Sequence, residues 1–522
     1  MQDSSLGVTE SRDGSPQPES VVPWYRRRLS TLHNFVLMCV TFSCNHGAVT
    51  SVLGISVTLL GDNGSYMDGA LYVMYALTAL LFATAPLDLL GSRLSLIVAA
   101  ATYSIFVLAF PISLLIPPGM PGLELAVALV GGIVGGFAAG FIWVAQGQYF
   151  AHSAKLYAAE VGVEESEANQ TLASLFAFTL LGVEVVLKLL PVLLLPIATE
   201  TVVIYPGSNH SAPTTDAGGD KSLSVSNLII ASTYSVVAVG AVVLMRAIQD
   251  VDALQQPPAH AGPGDEPLLV PLLKRRKCSL YKASAATRLW CSRPSVLLLA
   301  PIQITFGVCA ALLGQEVSGT IIPRYYPERS VILGSLMGTL VSFTAGIGVL
   351  LRSRSMRGVV PWAAPHHVPP HARPGVPLTA GVLQIPTKLL RARVGRVPLM
   401  LVGLLAFVAL ALLILLLSPA QIGRFTALVP IYLLQGLGRS CFEGTNKALY
   451  ADFFPSDTAA AFSNIVIFNG GASAAAYFAF PALAHAPDRR RIKAVAALVP
   501  ACIAVVGYLG AEYLHRKHPG RW

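Results

Sequence analysis

The stretch Gly436-Leu-Gly-Arg439-Ser-Cys-Phe-Glu443-Gly-Thr-Asn-Lys447-Ala-Leu-Tyr-Ala-Asp-Phe-Phe-Pro455 follows an apolar run from Phe425 to Leu434. Arg439, Glu443 and Lys447 stand at i, i+4 and i+8. On an α-helix that spacing gives them one slowly drifting face, each within reach of the next. Charges are costly inside a bilayer, so such residues face protein or water and mark a working surface.

The whole chain supports a membrane setting. Of 522 residues, 54% are hydrophobic and 12% charged, and the mean hydropathy is +0.63. A soluble domain carries about 25% charged residues. The deficit predicts a multi-pass protein whose first partner is the lipid bilayer. The net charge of +9 sits mainly in loops, which points to membrane orientation and to no nucleic-acid partner. The cysteines at 39, 44, 278, 291, 309, 441 and 502 follow no CxxC or Cys/His metal spacing, so no disulfide framework, zinc site or other metal is expected. The first 30 residues are polar, with Glu10, Asp13 and Glu19. No cleavable signal peptide is therefore expected, and the first span serves as its own targeting signal.

A span takes about 20 apolar residues. The hydropathy pattern predicts twelve, at 32–60, 69–90, 94–116, 124–149, 171–197, 226–247, 295–321, 330–351, 397–418, 425–449, 458–484 and 492–514. An even number puts both termini on one side. With that side cytosolic, 25 Lys and Arg fall there and 8 on the other, while Lys188, Arg439 and Lys447 lie inside spans. The bias predicts cytosolic termini, in the plasma membrane or an endomembrane. Arg489-Arg490-Arg491 is the exception, on the non-cytosolic side. The sequons at Asn63 and Asn209 fall in predicted non-cytosolic loops and are the glycosylation candidates; a third, at Asn169, falls on the cytosolic side.

The chain divides into a disordered cytosolic tail (1–31), a six-helix half (32–247), a cytosolic linker (248–294), a second six-helix half (295–514) and a tail (515–522). The linker holds a Pro/Gly run and Lys274-Arg-Arg-Lys277, as expected between two halves. Its Asp265-Glu-Pro-Leu-Leu269 has the form of a sorting signal, a string that Pro-rich loops also yield by chance. Residues 352–377 hold six Pro, three His and four Arg with no apolar period, and read as an inserted disordered loop. His366, His367 and His371 have no supporting ligands nearby for a metal.

An internal repeat links the halves. Span 4 ends Gly140-Phe-Ile-Trp143-Val-Ala-Gln146-Gly147-Gln-Tyr149, and aligning Gln146-Gly147 with Glu443-Gly444 brings Trp143 within two positions of Phe442. The words Arg-x-x-x-Glu-Gly-x-Asn-Lys-Ala-x-x-Ala-Asp-Phe-Phe-Pro resemble the tenth helix of the uncoordinated-93-like (ion-channel regulatory) branch of the major facilitator superfamily. The end of span 4 and Ala461-Phe-Ser-Asn464-Ile-Val-Ile-Phe-Asn-Gly-Gly-Ala-Ser473 resemble its fourth and eleventh helices. The turns Asp88-Leu-Leu-Gly91-Ser-Arg93 and Arg391-Ala-Arg393-Val-Gly395-Arg396 are degraded forms of the superfamily's Gly/Asp/Arg motif, and the second lacks the acid. The resemblance implies an all-α bundle of two pseudo-symmetric six-helix halves.

Depth sorts the candidate residues. At about 1.5 Å per residue from Phe425, Glu443 lies about 27 Å along span 10, at the cytosolic end of a core about 30 Å thick. A cytosolic gate is therefore expected from Arg439, Glu443, Lys447, Gln146, Asp88, Arg93, Arg393 and Arg396. The bland alternative is snorkelling side chains with Gly-mediated helix contacts. Asn45 and His46 of span 1, Gln303 and Thr305 of span 7, Gln435 of span 10 and Asn469 of span 11 are midplane candidates. They line a central cavity or bond between helices. Glu184 and Lys188 are spaced to pair within span 5, the Gly run 131–136 reads as close helix packing, and Tyr72 and Tyr75 read as interfacial aromatics.

No Walker A motif, potassium-filter sequence or catalytic triad is found, so no enzyme and no cofactor is expected. Two functions remain open. One is alternating-access transport of a small solute between the halves; the other, from the resemblance, is a non-transporting regulator or escort of an ion channel or another membrane protein. Two outcomes test the layout. Enzymatic deglycosylation is expected to shift the wild type but not Asn209→Gln, and equal shifts would count against this topology. Deleting residues 352–377 is expected to leave the amount of folded protein unchanged on a size-exclusion trace, because the segment lacks apolar surface to offset its ordering entropy.

Overall fold

A computed structural model gives the fold, and describes residues 30–81, 85–117, 119–194, 202–203, 223–255, 286–290, 292–352, 396–454 and 457–517. The first half comprises α1 (Thr31–Leu60), α2 (Asp62–Leu81), α3 (Ala85–Leu115), α4 (Pro121–Val161), α5 (Glu165–Leu194) and α6 (Val225–Met245). A two-residue antiparallel ladder, Val202–Val203 with Leu223–Ser224, precedes α6. The second half comprises α7 (Ser295–Leu312, continued by a π-helical stretch to Ile321), α8 (Ser330–Arg352), α9 (Arg396–Leu416), α10 (Phe425–Ser440), α11 (Thr458–Ala482) and α12 (Arg489–Lys517). After Ser440, α10 passes through a π-helical stretch, Cys441–Asn446, and ends as Lys447–Phe453. We call the face holding the start of α1 and the end of α12 the terminal face, and its opposite the distal face.

Twelve long helices thus stand among the described residues, matching the span count. Ten of them are long and apolar enough to cross a membrane unaided. The others are α2, polar in its first half (Asp62, Asn63, Ser65, Asp68), and α10, whose first α-helical stretch is 16 residues long. The hydropathy reading began span 2 at residue 69 because that polar half masks it. Residues 85–90, given to span 2, belong to α3, which kinks at Gly91 (φ 74°, ψ 173°). Asn63 also moves: it lies in the first turn of α2 and not in a loop, with Nδ2 donating to buried Glu124 (3.1 Å). Ser65 of the same sequon is buried. Asn209 and residues 353–395, with the inserted loop and Arg393, lie outside the described residues, as do the side chains of Asp88, Arg396 and Lys447.

Each half has an apolar core of its own. In the first, the glycines of α4 set how closely the helices approach. A Cβ on Gly132 would lie 2.3 Å from Met67 O, and one on Gly136 2.2 Å from Leu71 O, both in α2. The internal repeat has a packing counterpart. Phe42 in α1 meets Trp143 of α4 edge-on (5.0 Å), and Phe306 in α7 stacks on Phe442 of the α10 π-stretch (3.9 Å). Phe42 and Phe306 each stand eleven residues after the first residue of their helices.

The described ends of the 248–294 stretch are docked on the helices. On the terminal face Asp252, in a short helix (Val251–Gln255), accepts from Ser92 N (2.6 Å) and Ser92 Oγ (2.9 Å) just after the Gly91 kink. It thereby caps the helical run that restarts there. His152 of α4 contacts the same carboxylate (2.5 Å). Arg93 donates to the carbonyls of Ile248 (2.7 Å) and Arg246 (2.8 Å). At the far end of the linker, Trp290 Nε1 donates to Asn464 of α11. The exceptional arginines on the distal face also have a structural role. Arg489 donates to Ala484 O (3.1 Å), and Arg490 to Ile414 O and to Leu415 O (3.3 Å), satisfying carbonyls at the ends of α11 and α9.

Gly132→Ala and Gly136→Ala are each expected to lower stability by about 1–3 kcal/mol, the cost of overpacking a close contact. Gly147→Ala, where a Cβ meets nothing within 4 Å, is expected to stay near wild type. Thermal unfolding in detergent checks all three.

Candidate functional site

The charge at Arg439 finds a partner across the molecule, besides Glu443 on its own helix. Arg439 Nη1 and Nη2 donate to Glu184 Oε1 (2.7 Å) and Oε2 (2.8 Å) of α5. Lys188 Nζ, one turn further along α5, donates to the same Oε1 (2.7 Å), as the i, i+4 spacing predicts. Ser342 Oγ of α8 lies 2.9 Å from that oxygen. Glu184 has no solvent-accessible side chain, while Lys188 and Arg439 keep 13% and 14%. Buried acid and two bases from α5 and α10 thus join the first half to the second. From Phe425, Arg439 is about 21 Å along α10, well inside a core about 30 Å thick. That is about 6 Å nearer the middle of the core than Glu443.

A π-helical stretch, Cys441–Asn446, follows Arg439 on this helix. Each i→i+5 hydrogen bond adds a residue to the turn, so the helix between Arg439 and Lys447 is rotated away from α-helical register. Glu443, inside that stretch, remains within electrostatic reach of Arg439, His46 and Tyr75. Arg93 and Gln146 separate from this group. Arg93 belongs to the terminal-face knot around Asp252, and Gln146 is a buried residue of α4.

The midplane candidates divide by their bonds. Asn45 Nδ2 donates to Ser104 Oγ (2.9 Å) and Ala100 O (3.2 Å) of α3 and Ala238 O (3.4 Å) of α6, holding helices together. Gln303 and Asn446 exchange two amide bonds (2.9 and 3.0 Å) between α7 and α10. Thr305 Oγ1 donates to Pro301 O in its own helix (2.7 Å). Asn469 Oδ1 accepts from Ser473 Oγ (3.5 Å) in α11. These four donate to or accept from neighbouring protein groups. Asn45 Oδ1, His46 Nδ1 and Gln435 Oε1 are nevertheless buried without a hydrogen-bond partner. His46 sits among the rings of Phe42, Tyr103 and Trp143, and Gln435 is one turn from Arg439 on α10.

Tyr72 and Tyr75 are not interfacial. Tyr72 stacks on Tyr477 of α11 (5.8 Å, 8°) where α2 crosses the second half. Contacts between the halves continue to the distal face. There Thr58 Oγ1 donates to Ser318 O (3.1 Å), and Ser65 Oγ donates to Tyr477 O (2.6 Å). Gln315 Nε2 donates to Ser65 Oγ and to Tyr477 O (3.2 Å). Sequence reasoning had no signal for Ser342, a common residue in an apolar helix, or for the pairing of Glu184 with Arg439, 255 positions apart. Among the described residues no group of three His, Cys, Asp or Glu side chains is arranged to hold a metal ion.

The cluster can do two things chemically. It can hold the halves together through a desolvated ion pair, and it can exchange that pair for a polar or charged group entering between them.

No protein-family model and no characterised protein matches the chain by sequence. Solved structures do match by shape. The inward-open xylose transporter XylE from E. coli is 12% identical with TM-score 0.54, over 92% of this chain and 95% of that one. An auto-inhibited POT family peptide transporter is 13% identical with TM-score 0.54, over 93% and 97%. A point mutant of the nucleoside transporter NupG is 13% identical with TM-score 0.51, over 93% and 100%. Identities this low speak for the fold alone, and with twelve helices in two halves they identify it: the chain is a multi-pass membrane protein with the major facilitator fold.

Proposed function

We propose that the chain carries a small polar organic solute across a membrane by alternating access, with the Glu184–Arg439 pair as the latch between the halves. The observation that carries this reading is the bidentate ion pair itself, buried and shared between α5 and α10. Rocking of one half against the other must break it. Removing one member of a buried pair strands the other, at a cost of about 3–5 kcal/mol. A solute offering a carboxylate to Arg439 and Lys188, or a cation to Glu184, replaces the lost partner. His46 Nδ1 and Gln435 Oε1 are further polar handles, and the rings of Tyr103 and Trp143 supply apolar walls. The named neighbours handle xylose, nucleosides and peptides, all polar organic solutes.

The cross-half bonds near the distal face support an inward-facing state, with the terminal face cytosolic as the Lys/Arg bias predicts. Glu443, with Arg93 and Gln146 further out, belongs in this reading to the cytosolic gate. Membership of the uncoordinated-93-like branch rests on the span 4, 10 and 11 motifs. Under that branch's regulatory function the partner is an ion channel or another membrane protein.

Uptake by purified protein in liposomes, screened against solute pools, separates the readings. Transport predicts saturable uptake by the wild type, lowered at least tenfold by Glu184→Gln and by Arg439→Gln. The double variant is expected to lose no more than either single one, because the two residues act as a unit. Strict additivity would exclude the latch. A folded wild type that moves nothing, yet retains a membrane-protein partner on purification, would establish the regulatory reading instead.

A further inference from the structure

Asp68 is an acid that the latch does not use. The hydropathy reading left it outside span 2; the structure places it within α2, with no side-chain exposure. Its Oδ2 lies 2.7 Å from Ser56 Oγ of α1, and its Oδ1 has no hydrogen-bond partner. Ser56 Oγ also lies 3.2 Å from Leu53 O. A hydroxyl has one hydrogen. If Ser56 gives it to the carbonyl, which can only accept, the carboxyl must supply the hydrogen of the shorter contact.

The surroundings agree with a neutral acid. On α11 it faces the phenol of Tyr477, and on its own helix that of Tyr72. From α4 the helix is met by Gly132 and by buried Glu124, an acid that accepts from Asn63 in the first turn of α2. On α7, which reaches α2 through Gln315, the acid is Glu316, paired with Lys493 of α12 (3.1 Å). Among the described residues, therefore, no base faces Asp68. An ionised carboxylate buried with a single donor and no cation is strongly disfavoured, and the geometry favours the neutral acid.

Its position gives that proton a consequence. Asp68 is one turn from Ser65, whose hydroxyl bonds to Tyr477 O in the distal closure, and one turn from Tyr72, which stacks on Tyr477. Opening the distal side separates α2 from α11 and admits water to the carboxyl, which then ionises. We infer that Asp68 is a proton-binding site coupled to distal closure, making the proton the ion that accompanies the conformational cycle. This rests on the alternating-access reading, and the atoms balance simply: one O–H bond breaks on opening, water takes the proton, and the reverse precedes closing.

The test needs no known solute. Spin labels on Met120→Cys and Glu328→Cys, exposed distal residues of the two halves, report the distal separation in the full chain. They are read by pulsed dipolar spectroscopy in nanodiscs, in a background without reactive cysteines, across a pH series from mildly acidic to mildly alkaline. The wild type is expected to shift from the short to the long distance as pH rises. Asp68→Asn is expected to hold the short distance throughout, while Asp68→Glu still titrates. Ser56→Ala removes the acceptor of the acid's proton and is expected to move the midpoint down by roughly half to one pH unit. A midpoint that moves up would mean Ser56 donates to an ionised carboxylate, overturning the inference. So would an Asp68→Asn that titrates like the wild type. Should Asp68→Asn fail to fold, Ser56→Ala decides by its direction. Gln315→Ala with Ser65→Ala loosens the distal closure at any pH. If that variant opens while the wild type ignores pH, only the proton site falls; if neither ever opens, alternating access falls too.

Discussion

The fold turns on how a low-dielectric interior accommodates charge. Glu184 is wholly desolvated, and its ionised form is tolerable only because two bases and a hydroxyl converge on it. Those partners come from both halves, with Lys188 on α5, Ser342 on α8 and Arg439 on α10. The cluster is therefore an assembly device as much as a site. Neither half contains a complete set of partners, so any state in which the halves separate at this level must supply replacements. This is how a buried ion pair, doubtful as a source of net stability, specifies a relative arrangement of domains.

Other polar groups follow the same constraint at lower stakes. Gln303 and Asn446 satisfy each other, Asn45 stitches α1 to α3 and α6, and Arg489 and Arg490 occupy carbonyls at helix ends. On the terminal face, Asp252 serves the helix restarting after Gly91 and His152 together. A basic cluster that broke the charge bias of the loops is thus explained by capping. Asp68 is the departure. It meets the cost of burial by holding a proton, not by pairing, and it does so beside the distal closure.

The two π-helical stretches fall in α7 and α10. The first, Leu313–Ile321, carries Gln315, Glu316 and Ser318 of the distal contacts; the second, Cys441–Asn446, carries Phe442, Glu443 and Asn446. Such turns re-aim side chains relative to an ideal helix and recur at functional sites. Here they set which residues of a helix face the partner half, and which face their own.

Span number, the two-half division and the glycine packing of α4 were legible in the sequence. They depend on composition and on local periodicity, which a chain carries in itself. The pairing of Glu184 with Lys188 was legible too, being one turn apart. Where the reading failed, the deciding quantity was not local. The polar start of α2 looks like a loop until α4 and α11 cover it. Arg439 reads as a residue of one charged helical face until Glu184 of the other half meets it. Candidate cavity residues and helix-joining residues share the same chemistry, and only the position of a partner separates Gln303 from Gln435. Apolar length determined that this chain is a multi-pass membrane protein; the tertiary structure decided which buried charges meet, because desolvation is relieved by whatever group is near in space, however far along the chain.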